Sequence, residues 1–311
     1  ILLNNDSIVH PSLQLRYNDD NRLLSLIKKD EGLSRSPYYD SYHKLDLYFE
    51  ALYWNIDDPV IRMGNLFGST ETRAAFESSN YFKESRYRDL QGIDRIHPLY
   101  GIRQYARRVN SEVVDASELA RHMGSSLERY VHVLVDLTNK GFISFDIANS
   151  VVEIRPKLYD YISAAAGKID YDVLLFNSDV KDGKNAELNL VNLDLKLRGV
   201  QQILLSDSQN VVIYPSGGDV NVRKNRDFYF GGVIKSGRFE FYGQEYFFNY
   251  DKFLVDLIAV DSCRLYVEDL RPEYSSLRRV KNVIEGVGGT LEIDNPFNKS
   301  GLQDEFTQYP V

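Results

Sequence analysis

The sequence predicts an α+β fold in which β-rich portions, sandwich- or solenoid-like, flank a small helical domain. Three observations carry this expectation. Aromatic side chains are abundant, with 22 Tyr and 16 Phe against two Met and one Trp, a bias toward half-buried pleated surfaces. Apolar residues alternate at period two near both ends but recur at helical spacing between 98 and 140. A chain of 311 residues can hold two domains and a substantial core. The expected divisions are a β-rich segment with short helices over 1–97, a helical domain over 98–166, a linker over 167–186 and a β-rich domain over 187–311.

In the first segment, short strands are expected at 12–17 and 22–27, separated by the turn formers Asn18, Asp19, Asp20 and Asn21. The clearest strand is 44–54, with Leu45, Leu47, Phe49, Ala51 and Tyr53 on one face. Residues 57–97 are mixed and polar, with a short helix expected at 71–78.

Two capping boxes then mark helix starts, Asp115 with Glu118 and Ser125 with Glu128. The second helix carries an apolar stripe of Leu127, Tyr130, Val131, Leu134 and Leu137, and Gly141 ends it. Strands at 142–146 and 151–155 follow around a polar turn at 147–150, then a helix over about 156–166. Residues 167–185 read as a charged, turn-rich joint.

Beyond 187, short strands are expected at 238–242, 252–258 and 264–268, with turns at Gly217-Gly218, at 235–237 and at Gly243. The dipeptide Asp-Ser recurs at Asp6, Asp40, Asp207 and Asp261, each shortly before a β-type run. An Asp side chain can close a turn there by accepting from its own backbone two residues on. If the repeat is meaningful, one β-architecture lies on both sides of the helical unit.

In element order, 98–166 resembles the winged-helix superfamily, with 117–124 and 126–140 as the two central helices and 142–155 as the wing. That resemblance commonly implies DNA binding. The stretches 224–232 and 289–294 look like segments of very long, uncharacterised Bacteroidota proteins regarded as cell-envelope components. Their β-runs are similar to envelope lipid-transport solenoids of the AsmA kind. This second resemblance implies an envelope or periplasmic location and brings no catalytic residues with it.

Charge opposes the DNA reading. The net charge is −8, with a pI near 5.3. Within 98–166, Lys/Arg at 103, 107, 108, 121, 129, 140, 155 and 157 are matched by Asp/Glu at 112, 115, 118, 128, 136, 146, 153 and 160. A neutral unit in an acidic chain lacks the phosphate-neutralising term that drives nonspecific binding. Arg103, Arg107 and Arg108 do cluster on the first helix, where a phosphate backbone or plain solvent would suit them.

Catalytic patterns are sparse. The five histidines are scattered, and no nucleophile elbow, phosphate-binding glycine loop or dinucleotide fingerprint occurs. Ser25–Lys28 and Ser41–Lys44 match Ser-x-x-Lys, but Lys28 next to Lys29 is expected in a charged turn, a poor setting for a depressed pKa. The stretch 179–187 faintly suggests a calcium loop but lacks alternating oxygen ligands and reads as a solvated linker. No cofactor or metal is expected. With one cysteine, Cys263, no intramolecular disulfide can form. The longest apolar run, 253–260, is interrupted by Asp256, so no membrane span is expected.

The leading expectation is therefore a non-enzymatic structural or protein-interaction fragment of a large bacterial envelope protein. A chain that starts at Ile1 without methionine and stops at Tyr309-Pro310-Val311 is expected of a piece cut from a longer polypeptide. Its partners would be other protein chains or the remaining domains of that parent. They would be met through Arg129, His132 and Asp136 on the second helix and through the Tyr/Phe-rich strand faces. The alternatives are a nucleic-acid-binding regulator acting through 98–157, and a carbohydrate-binding module or hydrolase using Tyr38, Tyr39, Tyr42 and Trp54 as a stacking platform.

Overall fold

The computed structural model describes residues 1–3, 5–28, 36–66, 68–92, 96–181, 183–268, 277–303 and 308–311. Strand accounts for 42% of the chain, and five α-helices lie among the described residues, giving a mixed α+β fold. The helices are α1 (Glu84–Gln91), α2 (Pro98–Val109), α3 (Ala116–His122), α4 (Leu127–Asn139) and α5 (Pro156–Ala165). No helix among the described residues is long and apolar enough to cross a membrane.

One antiparallel sheet has six strands, in the order Leu2–Leu3, Asp6–Val9, Tyr38–Asp40, Leu45–Tyr48, Arg73–Ser78 and Leu175–Asp179. A second sheet, of fourteen strands, joins both ends of the chain. Its seam is the pairing of Val60–Gly64 with Ala186–Asn189, in register from Val60 opposite Asn189 to Met63 opposite Ala186. Phe76 and Phe176 from the first sheet and Met63, Leu188, Phe228 and Phe248 from the second belong to one apolar cluster. The helices and a three-stranded sheet form a separate core that reaches from Phe82 to Ala164.

Several elements depart from the sequence expectation. The single strand expected at 44–54 is two, Leu45–Tyr48 in the six-stranded sheet and Ala51–Asn55 in the larger one. The chain changes sheet at Phe49-Glu50, and facing parity shifts with it, so Ala51 and Leu52 are both buried. Residues 71–78 do not form a helix; Arg73–Ser78 is a strand, and the helix of this region is α1. Its Ala-Ala-Phe run suits a strand whose two neighbours are both sheet partners, which local propensity cannot register.

The stretch 167–186, read as a linker, is woven into the body. Leu175–Asp179 pairs residue for residue with 73–77. Asp172, 1% exposed, accepts from Ser78 Oγ at 2.6 Å and from Tyr250 OH at 2.7 Å, with the Arg226 guanidinium 3.6 Å away. Of the stretch 179–187, Asp182 lies outside the described residues, while Asn185 donates to Thr72 O and Ser178 Oγ and clips the two sheets together.

In the C-terminal part, Gly243 sits not at a turn but inside the long strand Phe239–Asn249. A Cβ there would lie 2.4 Å from Ala259 O, and the register slips on either side, so this glycine permits a bulge. The runs expected at 252–258 and 264–268 are one strand, Leu254–Glu268. Among the described residues, Asp40 is the one Asp of these pairs that acts as expected, accepting from the amides of Tyr42 and His43. Asp261-Ser262 lies mid-strand.

Candidate functional site

The helical unit is built much as its sequence reads. α2 starts at Pro98 and is capped by His97, whose Nδ1 accepts from Leu99 N at 3.3 Å while Nε2 donates to Tyr87 O at 2.8 Å. Asp115 Oδ1 accepts from Glu118 N at 2.9 Å and caps α3. The second capping box does not form. The N-cap of α4 is Ser126, with no side-chain cap bond, and Ser125 Oγ donates to Ser126 O instead. The strands Ile143–Asp146 and Val151–Ile154 form the expected hairpin, and Val113–Asp115 adds a third strand against Val151–Glu153.

α4 turns Tyr130, Leu134, Leu137 and Thr138 inward. Arg129, His132 and Asp136, at i, i+3 and i+7, are exposed on its other side. Asp136 is bonded to Lys140 Nζ at 2.6 Å. On α2 the guanidinium of Arg103 lies over Tyr100 at 4.1 Å and that of Arg108 over Tyr105 at 4.9 Å, so both arginines lean on their own helix.

This unit is fixed to the six-stranded sheet by buried charge. Lys157 Nζ, from the first turn of α5, lies 2.5 Å from Asp46 Oδ2 and 2.7 Å from Glu77 Oε1. Arg86 from α1 donates to Glu77 Oε2 at 2.6 Å. Burial disfavours the Lys157 charge, but Asp46 and Glu77 outweigh it and hold the ammonium well above its ordinary range. Gly141, in the left-handed region at φ 82°, brings the end of α4 against Pro37 beside Asp46. No sequence pattern pointed to this cluster, because its members are brought together only by the fold.

The four aromatic residues read as a stacking platform go to different surroundings. Tyr38 is 2% exposed and stacks on Phe49 at 4.4 Å. Tyr39 points the other way from its strand, under the Arg155 guanidinium at 5.0 Å. Tyr42 packs edge-on to His43, and Trp54 leans on the core with Nε1 donating to Asp58 O at 3.0 Å. His43 is itself buried, with Nδ1 2.6 Å from Asp40 Oδ2 and Nε2 donating to Leu193 O at 2.8 Å, a tie between residues 150 apart in the chain.

Neither Ser-x-x-Lys pattern forms a nucleophile–base pair. Ser25 and Lys28 lie on one strand, where a spacing of three puts side chains on opposite faces. Ser41 Oγ donates to Asp6 Oδ1. Lys28 nonetheless overturns the expectation of a solvated turn. Its Nζ donates to Ser36 O at 2.6 Å, and burial, opposed only in part by Glu50, lowers its pKa to about 7. His10 shares the same acceptor, with Nε2 at 3.1 Å from Ser36 O, and burial and the nearby Lys28 lower it to about 4. Lys28 lines a cavity of about 790 Å³ together with Glu50, Glu71, Arg73, Asn177 and Asp179. No cluster of His, Cys, Asp or Glu suited to a metal occurs among the described residues.

No protein-family model, curated protein or solved structure matches this chain.

Proposed function

We propose that the chain is a non-enzymatic protein-interaction module of a bacterial cell-envelope protein, and that 98–166 is a winged-helix unit used for docking. The observation that carries this reading is the exposed face of Arg129, His132 and Asp136 on a unit tethered to the sheet through buried Lys157. A tethered helix face with balanced charge suits a protein partner, since little ordering is needed on contact. Lys/Arg and Asp/Glu cancel across 98–166, which disfavours nucleic acid for the same face. The envelope assignment rests on the resemblance of the flanking β-runs.

Site-specific photo-crosslinking tests the docking face. A benzophenone side chain at His132 is expected to give a discrete protein adduct in fractionated cells, enriched in the envelope fraction. The same group at Asp20, in the exposed turn between Leu13–Asn18 and Leu23–Lys28, gives none. The double variant Arg129→Glu, Asp136→Arg abolishes the His132 adduct. Equal products from both positions would overturn the reading, as would tight binding of random duplex DNA in low-salt anisotropy, where the electrostatic term is largest.

A further inference from the structure

The cavity holding Lys28 has no part in the docking reading. It opens where the two sheets meet, with Lys28 from the larger sheet and Ala74, Ala75 and Asn177 from the smaller. A lysine here is expensive to keep unless it works. Among the described residues it has no carboxylate within ion-pair distance, and the one acceptor its Nζ meets there is the Ser36 carbonyl. An ammonium held only by a carbonyl in a half-dry site gives up its proton readily, and the amine so formed has a lone pair free to react. The Tyr38 ring, 4.9 Å from Nζ, screens one side of it from water.

The rest of the wall selects what can enter. Among the described residues of the wall, Asn177, Gln201 and Gln202 offer amides, and Glu50, Glu71 and Asp179 offer carboxylates, against one further cation, Arg73. That set suits hydroxyl groups, which both donate and accept, and repels anions.

We propose that Lys28 reversibly captures small, uncharged polyhydroxy aldehydes in this cavity as an imine. The Nζ lone pair attacks the carbonyl carbon, forming the C–N bond as the C=O π pair moves onto oxygen. Over the sequence the nitrogen gives up both its protons and the oxygen takes up two, carried by Glu50 or by water. Water leaves, the C=N bond forms, and hydrolysis reverses the sequence. No oxidant or reductant enters the balance.

Trapping with glyceraldehyde and sodium cyanoborohydride on the intact chain, followed by peptide mapping, tests this. At pH 7 the neutral fraction of Lys28 exceeds that of an ordinary lysine by about three orders of magnitude, so its adduct is expected at least about tenfold faster than at the exposed Lys44 and Lys252. Its rate levels off above neutrality, while theirs climbs toward pH 10. Glu50→Gln slows trapping at Lys28 alone, and Lys28→Arg removes that adduct and leaves the others unchanged. Circular dichroism checks that each variant is folded. Labelling of Lys28 no faster than of Lys252, or a rate still rising at pH 10, overturns the proposal. So does faster trapping of glyceraldehyde 3-phosphate than of glyceraldehyde. The docking reading is untouched by any of these outcomes.

Discussion

Lys157, which is buried, and Lys28, which is half-buried, are governed by opposite energetics. Lys157 is bonded to two carboxylates, whereas Lys28 meets only a carbonyl acceptor among the described residues. The same substitution should therefore move stability in opposite directions. Lys157→Met strips a buried charge cluster of one cation and should cost about 3–5 kcal/mol in urea denaturation. Lys28→Met removes a poorly compensated ammonium and should stabilise by roughly 1–3 kcal/mol at pH 6. The pH dependence follows from the lowered pKa of Lys28. Below about 7 the amine is protonated in both folded and unfolded chains, and the burial penalty is felt in full. As pH rises from about 7 toward the ordinary lysine value the folded chain sheds that penalty first, so the advantage of Lys28→Met shrinks and vanishes near pH 10.5. A gain that persists undiminished at pH 10.5 would show that packing, not charge, sets the effect.

At the scale of elements, the two helix starts that look alike in sequence should behave differently. Asp115→Ala removes the cap of α3 and should cost about 1 kcal/mol, while Ser125→Ala and Ser126→Ala should each stay within about 0.5 kcal/mol. Equal losses in thermal melts would mean that the serines cap α4 in solution. The contrast also marks what the sequence could reveal. Elements whose stabilisation is local were legible: α4 with its apolar stripe, the hairpin 143–154, and the pair Leu13–Asn18 and Leu23–Lys28 around an Asn/Asp turn. Elements decided by distant partners were not. Arg73–Ser78 is a strand because Leu45–Tyr48 and Leu175–Asp179 lie on either side, and neither is near it in sequence. The exposed trio on α4 followed directly from helical spacing. The cavity did not, because Lys28 shares a wall with Asn177 and Gln201 only once both sheets exist, and its neighbour Lys29 suggested solvent.

For the whole molecule, the sheet seam between Val60–Gly64 and Ala186–Asn189 spans more than a hundred residues of intervening chain. The five α-helices among the described residues lie inside that span and pack on a core of their own, running from Phe82 to Ala164. Synthesis from the N-terminus delivers four strands of the large sheet, ending at Val60–Gly64, long before their partner strands emerge. Those early strands must wait with open edges, a state prone to mispairing. The helical unit, rich in local contacts, can fold within that interval and draw Arg73–Ser78 toward Leu175–Asp179, which shortens the loop to be closed. Pulsed hydrogen exchange during refolding should then protect amides of α2 and α4 before those of Val60–Gly64; the reverse order would deny the helices this role. The intervening unit thus acts in time as well as in space, as a clasp that gathers two separated stretches of backbone before either can complete its sheet.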